Sequence, residues 1–288
     1  MSPVTNSPEN ADAIPGYDPG FLTVGVPLPL PGAGRNLEVL DYTHFTVQLD
    51  PDRRLAAATA VNIGGGSLVE IERGDDWHLD PRIEQDHQAG PELYARNDLD
   101  RGHLVRRRDP VWGAVDVAER ANFDSFTFTN AAPQANTFNQ SKLLWSGLED
   151  YILEHARVHE LNLTVFTGPV LKSDDPSYRG IQIPLAFWKV AVWATGSGAL
   201  AATAYFLDQR PSLDDIDLNE AFLLATATEQ APPLGEFRTF QVPIRDIEQL
   251  ATLSFGPAAE ADRFAQRDVL EGESKRWVEL EVQEDIRL

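Results

Sequence analysis

Two stretches decide the reading of this chain: LDRGHLVRRR at residues 99–108 and NAAPQANTFNQSKLLWSGLED at residues 130–150. In the second, Trp145, Leu148 and Ile152 recur at i, i+3 and i+7, which predicts a helix from about Gln140 to His159 with one apolar face. Asn139 stands immediately before that helix, where a side-chain N-cap belongs. Ahead of the first stretch, residues 72–99 are polar and rich in Asp, Pro and Gly, so a long loop is expected to feed directly into Asp100–His103. Loops of that length inside compact domains are usually functional. Between the two stretches FDSFTFTN (123–130) alternates aromatic and polar residues, and this alternation predicts a strand.

Working outward, HFTVQLD (44–50) and LAAATAVNI (55–63) are strand-like runs joined by the turn-prone Pro51-Asp52-Arg53, which predicts a hairpin ended by the glycines at 64–66. LNLTVFTGPVL (161–171), IPLAFWKVAVWAT (183–195) and ALAATAYFL (199–207) are β-rich and apolar enough to be central strands. PIRDIEQLATL (243–253) reads as a short helix and WVELEV (277–282) as a last strand. Residues 1–35 are rich in Pro, Gly, Asn and Ser without periodicity, and are expected to be an extended, loosely attached N-terminal arm. With no internal repeat and no linker, residues 36–288 read as one α+β domain, a central antiparallel sheet with flanking helices.

A chain of 288 residues that is 42% hydrophobic can bury a full-sized core. It contains no cysteine, so any metal must be held by oxygen or imidazole nitrogen, which favours hard ions such as magnesium. The N-terminus lacks the apolar core of a signal peptide and no run approaches a membrane span, so a soluble, cytoplasmic protein is expected; delivery by another route stays open. The net charge of −21 argues, by itself, against a nucleic-acid partner. The average conceals an asymmetry: residues 100–108 carry four arginines against one aspartate, whereas residues 206–288 carry 18 acids against 8 bases. Arg106, Arg107 and Arg108 are either a focused basic site on an acidic body or a solvated loop.

The ordered set Asp100-Arg101-Gly102-His103, Asn130 to Gln134, Phe138-Asn139-Gln140, Trp145 and Leu148-Glu149-Asp150 resembles the DNA/RNA non-specific endonucleases of the ββα-metal group, the family of the Serratia-type nucleases and endonuclease G. RRLA (53–56) and FTGP (166–169) fit the same family, and the resemblance extends over roughly residues 40–255. It implies a ββα-metal nuclease fold whose catalytic helix carries the metal site. It also implies an enzyme that cuts phosphodiesters in DNA and RNA without sequence specificity, leaving 5′-phosphate and 3′-hydroxyl ends.

Phosphodiester hydrolysis needs a base for water, positive charge on the phosphoryl oxygens and an electrophile at the leaving oxygen. His103 suits the first role because imidazole titrates near neutral pH; taken alone, a histidine is more often structural. Asn139 offers one neutral carbonyl oxygen, so an ion held there keeps most of its water, as Mg²⁺ prefers, with Mn²⁺ as the alternative; an N-cap is its other reading. Glu149, ten residues further on, lies about 15 Å along a continuous helix, and by resemblance it would hold a metal-bound water. The interval from Asn139 to Trp145 is two residues longer than in the Serratia-type enzymes, which requires a later helix start or a bulge. Arg73, in ERGDDWHLDP (72–81), resembles the family's arginine that reaches the scissile phosphate. Arg101 and Arg106 would bind substrate, Arg101 beside the base, while Asp100 is structural. Asn130 and Gln134 either support the site backbone by hydrogen bonds or are plain turn residues. Trp77 and Trp112 could stack on bases, whereas Trp188 and Trp193 belong in the core. The partners implied are DNA and RNA, an inhibitor or immunity protein, and a second copy in a homodimer. The alternative is a weakly active or inactive nuclease fold serving as a nucleic-acid-binding or protein-interaction module.

Overall fold

In the computed structural model, residues 16–136, 140–211, 215–235, 237–265, 277–282 and 285–286 are described. The ten strands that matter here are β1 (Glu38–Tyr42), β2 (Phe45–Asp50), β3 (Leu55–Gly64), β4 (Leu99–His103), β5 (Ala131–Ala135), β6 (Asn162–Pro169), β7 (Ala186–Ala194), β8 (Leu200–Asp208), β9 (Arg238–Val242) and β10 (Val278–Leu280). Eight of them form one antiparallel sheet in the order β10-β9-β8-β7-β6-β3-β2-β1, while β4 and β5 pair separately as an antiparallel ribbon. The architecture is α+β.

Both faces of the sheet are covered, which is why β3 is buried at every position and shows no alternation. Even- and odd-numbered positions exchange faces along it, Ala56 near one end and Val61 and Ile63 near the other lying in the same core. Opposite β2, Leu49 pairs with Ala56 and Gln48 with Ala58, so Ala57 is an extra residue, and this bulge switches the side-chain parity along the strand. On β7 the parity is simple. Phe187 and Ala191 join one core, and Trp188, Val190 and Val192 join the other.

The first core lies beneath helix α2 (Gln140–Val158), whose Trp145, Leu148, Ile152 and Ala156 pack against Ile63, Leu163 and Val165. The apolar face expected from the i, i+3, i+7 spacing is therefore the buried one. The helix is continuous from Gln140, so the longer interval before Trp145 requires neither a later start nor a bulge within it. The second core is closed by helix α3 (Ile244–Ala251), by Phe255 and Ala258, and by the N-terminal segment. That segment is not loosely attached from Tyr17 onward: Tyr17, Leu22 and Val26 are buried, and Leu30–Pro31 pairs with Leu253–Ser254. Apolar residues spaced without period were enough to anchor it. Trp188 is fully buried and Trp193 is packed against the first core.

The strand expected at 123–130 is absent. Helix α1 (Val115–Asp124) and a 3₁₀ turn at Phe128–Asn130 occupy this region instead. The buried face of α1 is made of Ala118 and Ala121, whose small side chains give little periodic contrast, while Phe126 and Phe128 turn inward to pack with Trp77. Among the described residues, no helix is long and apolar enough to cross a membrane.

Candidate functional site

Four segments converge on one polar cavity of about 390 Å³. The long loop brings Arg73, Asp75 and Trp77, strand β4 brings Asp100, Arg101, Gly102 and His103, β5 brings Gln134, and α2 brings Trp145, Ser146 and Glu149, with Phe237 at the margin.

The loop has almost no regular structure, so its position depends on specific anchors. His78 exchanges backbone hydrogen bonds with the 126–128 turn, its N–H donating to Phe126 O at 3.1 Å and its carbonyl accepting from Phe128 N–H at 2.9 Å. Further on, the buried Asp80 carboxylate accepts from the Tyr42 hydroxyl and from both arms of the Arg82 guanidinium. Burial pushes the Asp80 carboxyl up, but these donors outweigh it and hold the group below the usual carboxylate range.

The β4–β5 ribbon is pinned from both ends. Asn130 is fully buried; its Oδ1 accepts from Val105 N–H at 2.8 Å and its Nδ2 donates to Val105 O and Ser125 O at 3.0 Å each. It thus fixes the chain two residues beyond His103. Gln209, which the sequence reading did not single out, accepts from Ala135 N–H at 3.0 Å and donates to Pro184 O at 2.7 Å, tying the far end of β5 to the main sheet. Gly102 leaves the space that the Gln134 side chain fills: a Cβ there would lie 2.1 Å from Cδ of Gln134.

His103 stands between aromatic rings, Trp77 at 4.7 Å and Phe126 at 5.1 Å between centroids, the latter edge-on. Its Nε2 is buried and has no hydrogen-bond partner among the described residues. Burial, followed by the charges of Arg73, Arg107 and Arg101, pushes its pKa down to about 3. The imidazole is therefore neutral throughout the physiological range, with a lone pair available. Arg101 places its guanidinium over the Trp77 ring at 5.2 Å and lies 3.9 Å from the Asp75 carboxylate. Arg73 forms no ion pair among the described residues and lines the same cavity.

Glu149 is set deeper. Its Oε1 is 3.5 Å from Lys189 Nζ and its Oε2 is 4.0 Å from Arg106 Nε. Behind it Asp109 is buried, and burial raises its pKa to about 7 against the opposing pull of Arg106 and Lys189. Lys189 could have been noticed in the sequence, as the single charge within IPLAFWKVAVWAT.

The arginine run is not an open basic surface. Arg106 is held by the Asp150 carboxylate and is not among the residues lining the cavity. Arg107 donates to Ile71 O and Asn122 Oδ1, and Arg108 pairs with Glu70. Asn139, expected to hold a metal, lies outside the described residues. Glu84, Asp86 and His87 bring three ligand atoms within 4.8 Å of one another, but on an exposed part of the loop away from the cavity lining.

Asp75, Asp100, Gln134, Glu149 and His103 line a cavity edged by arginine, oxygen and imidazole groups beside positive charge, but among the described residues no three of its acidic and histidine side chains bring ligand atoms within 4.8 Å of one another. Residues 29–262 match the DNA/RNA non-specific endonuclease family, and the chain belongs to that family. It is 37% identical over 284 residues to the uncharacterized protein y4fB of Sinorhizobium fredii (strain NBRC 101917 / NGR234), covering 91% of this chain. The chain spans 41% of the length of that relative. The crystal structure of the EndoG/EndoGI complex, concerned with the mechanism of EndoG inhibition, aligns with a TM-score of 0.55 and 21% identity over 77% of this chain and 86% of that one. At that identity the likeness establishes the fold, which is the ββα-metal nuclease type.

Proposed function

We propose that this chain is a metal-dependent endonuclease that hydrolyses phosphodiester bonds of DNA and RNA without sequence specificity. The observation that carries the reading is the neutral imidazole of His103, held by aromatic rings in a cavity it shares with Arg73, Arg101 and Glu149. A ring nitrogen of His103 takes a proton from water. The oxygen so activated attacks phosphorus, and the bond to the 3′-oxygen breaks; the leaving 3′-oxygen takes up a proton from solvent, giving a 3′-hydroxyl beside a 5′-phosphate, and His103 later returns its proton to solvent. Arg73 and Arg101 hold the phosphate and offset its growing charge. A bound phosphate also counters the arginine field at His103, so the imidazole gains proton affinity when substrate is present. Contacts confined to phosphate carry no base information, which accounts for indifference to sequence.

Asn139 would bind a magnesium ion directly and Glu149 would bind it through water, with manganese as a substitute. When bound, the ion supplies Lewis-acid stabilisation of the phosphoryl group and the leaving oxygen. Glu149 fits a role through water, because its two oxygens are already approached by Lys189 and Arg106. Gln134 and Asn130 hold the ribbon that carries His103. By analogy with the EndoG inhibition complex, a protein inhibitor is the proposed restraint on the activity.

The test is incubation of supercoiled plasmid, single-stranded DNA and RNA with the chain, with and without magnesium and chelator. Cleavage of all three, abolished by chelator, is expected. Magnesium-loaded chain that binds these substrates without cutting any of them would favour a binding module instead.

A further inference from the structure

We infer that Lys189 is a positioning residue, holding the Glu149 carboxylate in the orientation the cavity uses. The inference rests on the nuclease reading above.

Lys189 sits near the middle of β7, and its side chain is almost wholly buried. Its Nζ donates to Thr167 Oγ1 at 2.9 Å on the neighbouring strand and lies 3.5 Å from Glu149 Oε1 and 5.7 Å from the Trp145 ring centroid. These contacts place the ammonium under the same two turns of α2 that supply Trp145, Ser146 and Glu149 to the cavity. Lys189 itself is not among the lining residues, so an effect on a substrate passes through its neighbours there, Glu149 and Trp145, of which Glu149 carries the charge.

Burying an ammonium is costly, and a buried ion pair replaced as a whole by apolar residues of similar volume is often at least as stable. A lysine within this apolar run is tied to its acidic neighbours, since removing it alone would leave Glu149 and Asp109 less compensated. Its geometry toward Glu149 goes further. The two cations approach different oxygens of Glu149, Lys189 at Oε1 and Arg106 at Oε2, which favours one rotation of the carboxylate about its last bond. Among the described residues the other charges facing this cluster are Asp109, Asp150 and, acting on Asp109, Arg108; Asp150 is already occupied by Arg106 and Arg108 by Glu70. The competing explanation is that Lys189 only compensates the buried Asp109.

The experiment compares the unaltered chain with Lys189→Met, Lys189→Gln, Lys189→Arg, Glu149→Gln and the Lys189→Met/Glu149→Gln double variant. Plasmid cleavage gives kcat, KM and the magnesium concentration for half-maximal rate, and thermal unfolding is measured on each. Lys189→Met should lower kcat about tenfold and raise the magnesium requirement, with KM for DNA little changed and with lower stability, because the buried acids lose a partner; coupling of that size is ordinary for residues in contact. Lys189→Arg should recover much of the loss, and the double variant should be no slower than Glu149→Gln alone. If Lys189→Met does not fold, Lys189→Gln carries the same expectation. Losses that multiply in the double variant, or full activity in a folded Lys189→Met or Lys189→Gln, would overturn the role. Those results leave the nuclease reading intact, whereas an unaltered chain that cuts nothing with magnesium removes both.

Discussion

The indole of Trp77 lies against the imidazole of His103, with ring centroids 4.7 Å apart and planes inclined by 50°. Together with Phe126 it withdraws the imidazole from water, and this burial is the largest cause of a pKa near 3. The consequence for catalysis has a definite sign. Free chain keeps His103 unprotonated down to about that pH, so kcat/KM should show no acid limb at 6.5 arising from this residue. Bound phosphate raises the proton affinity, so the acid limb of kcat should lie above that of kcat/KM. Trp77→Ala readmits water and should move both limbs upward, whereas His103→Ala should cut the rate by about 10²–10⁴-fold at every pH. An acid limb near 6.5 in kcat/KM that vanishes with His103 would contradict the withdrawn state of the ring.

Gly102 and Gln134 occupy space that admits only one side chain. A methyl group at 102 would meet Cδ and Oε1 of Gln134 at 2.1 and 2.3 Å, so Gly102→Ala must displace either that amide or the ribbon carrying His103. Activity should fall in Gly102→Ala, and the added truncation Gln134→Ala should restore part of it by vacating the space. A double variant no better than the single one would place the damage in the backbone and remove Gln134 as its cause.

The main sheet and the helix under the cavity were legible because their signals are local. Long apolar runs at 161–207 and the i, i+3, i+7 spacing of Trp145, Leu148 and Ile152 survive any arrangement of neighbours. The strand expected at 123–130 failed because Phe126 and Phe128 are drawn toward Trp77, about fifty residues away, and period-2 alternation cannot distinguish that from a sheet face. His103, Arg73, Arg101 and Glu149 could be named from a motif, and they do share a cavity. Their settings could not be read. The pairing of Glu149 with Lys189 and the engagement of Arg106–Arg108 by Asp150, Asn122 and Glu70 join segments distant in sequence, and charge counting cannot tell an occupied arginine from an available one.

Asp109 offers a stability test independent of cleavage. Its carboxyl is buried and raised from 3.8 to about 7, so the folded chain binds this proton more tightly than the unfolded chain does. The stability this group contributes is thus complete below about pH 4 and is lost as pH rises through 7. Asp109→Asn keeps the shape without the titration. Relative to the unaltered chain it should gain stability from about pH 4 to about pH 7 and level off above, as measured by urea unfolding at several pH values. A difference that is flat across that range, or that turns against the variant as pH rises, would mean Asp109 is a charged partner of Arg106 and Lys189 throughout.

The last prediction concerns how an acidic chain engages a polyanion. Arg73 and Arg101 line the cavity, whereas Arg106, Arg107 and Arg108 are held by Asp150, by Ile71 O with Asn122, and by Glu70. Few phosphates can then be neutralised, and at about 0.9 counterion per phosphate two contacts give a salt slope near 2, a weak dependence for a DNA-binding protein. Against this short-range attraction stands a net charge of −21, whose repulsion reaches about 30 Å at 0.01 M salt and only about 8 Å at 0.15 M. Added salt should therefore relieve the long-range repulsion before it weakens the arginine contacts. Cleavage of one duplex at fixed magnesium should rise and then fall as monovalent salt increases, with its maximum at intermediate concentration. Arg108→Ala should leave that profile nearly unchanged, because its charge is already committed to Glu70, while Arg101→Ala should lower the rate throughout. A steep fall from the lowest salt upward, with a slope implying six or more phosphates, would show that the arginine run releases its acidic partners when nucleic acid arrives.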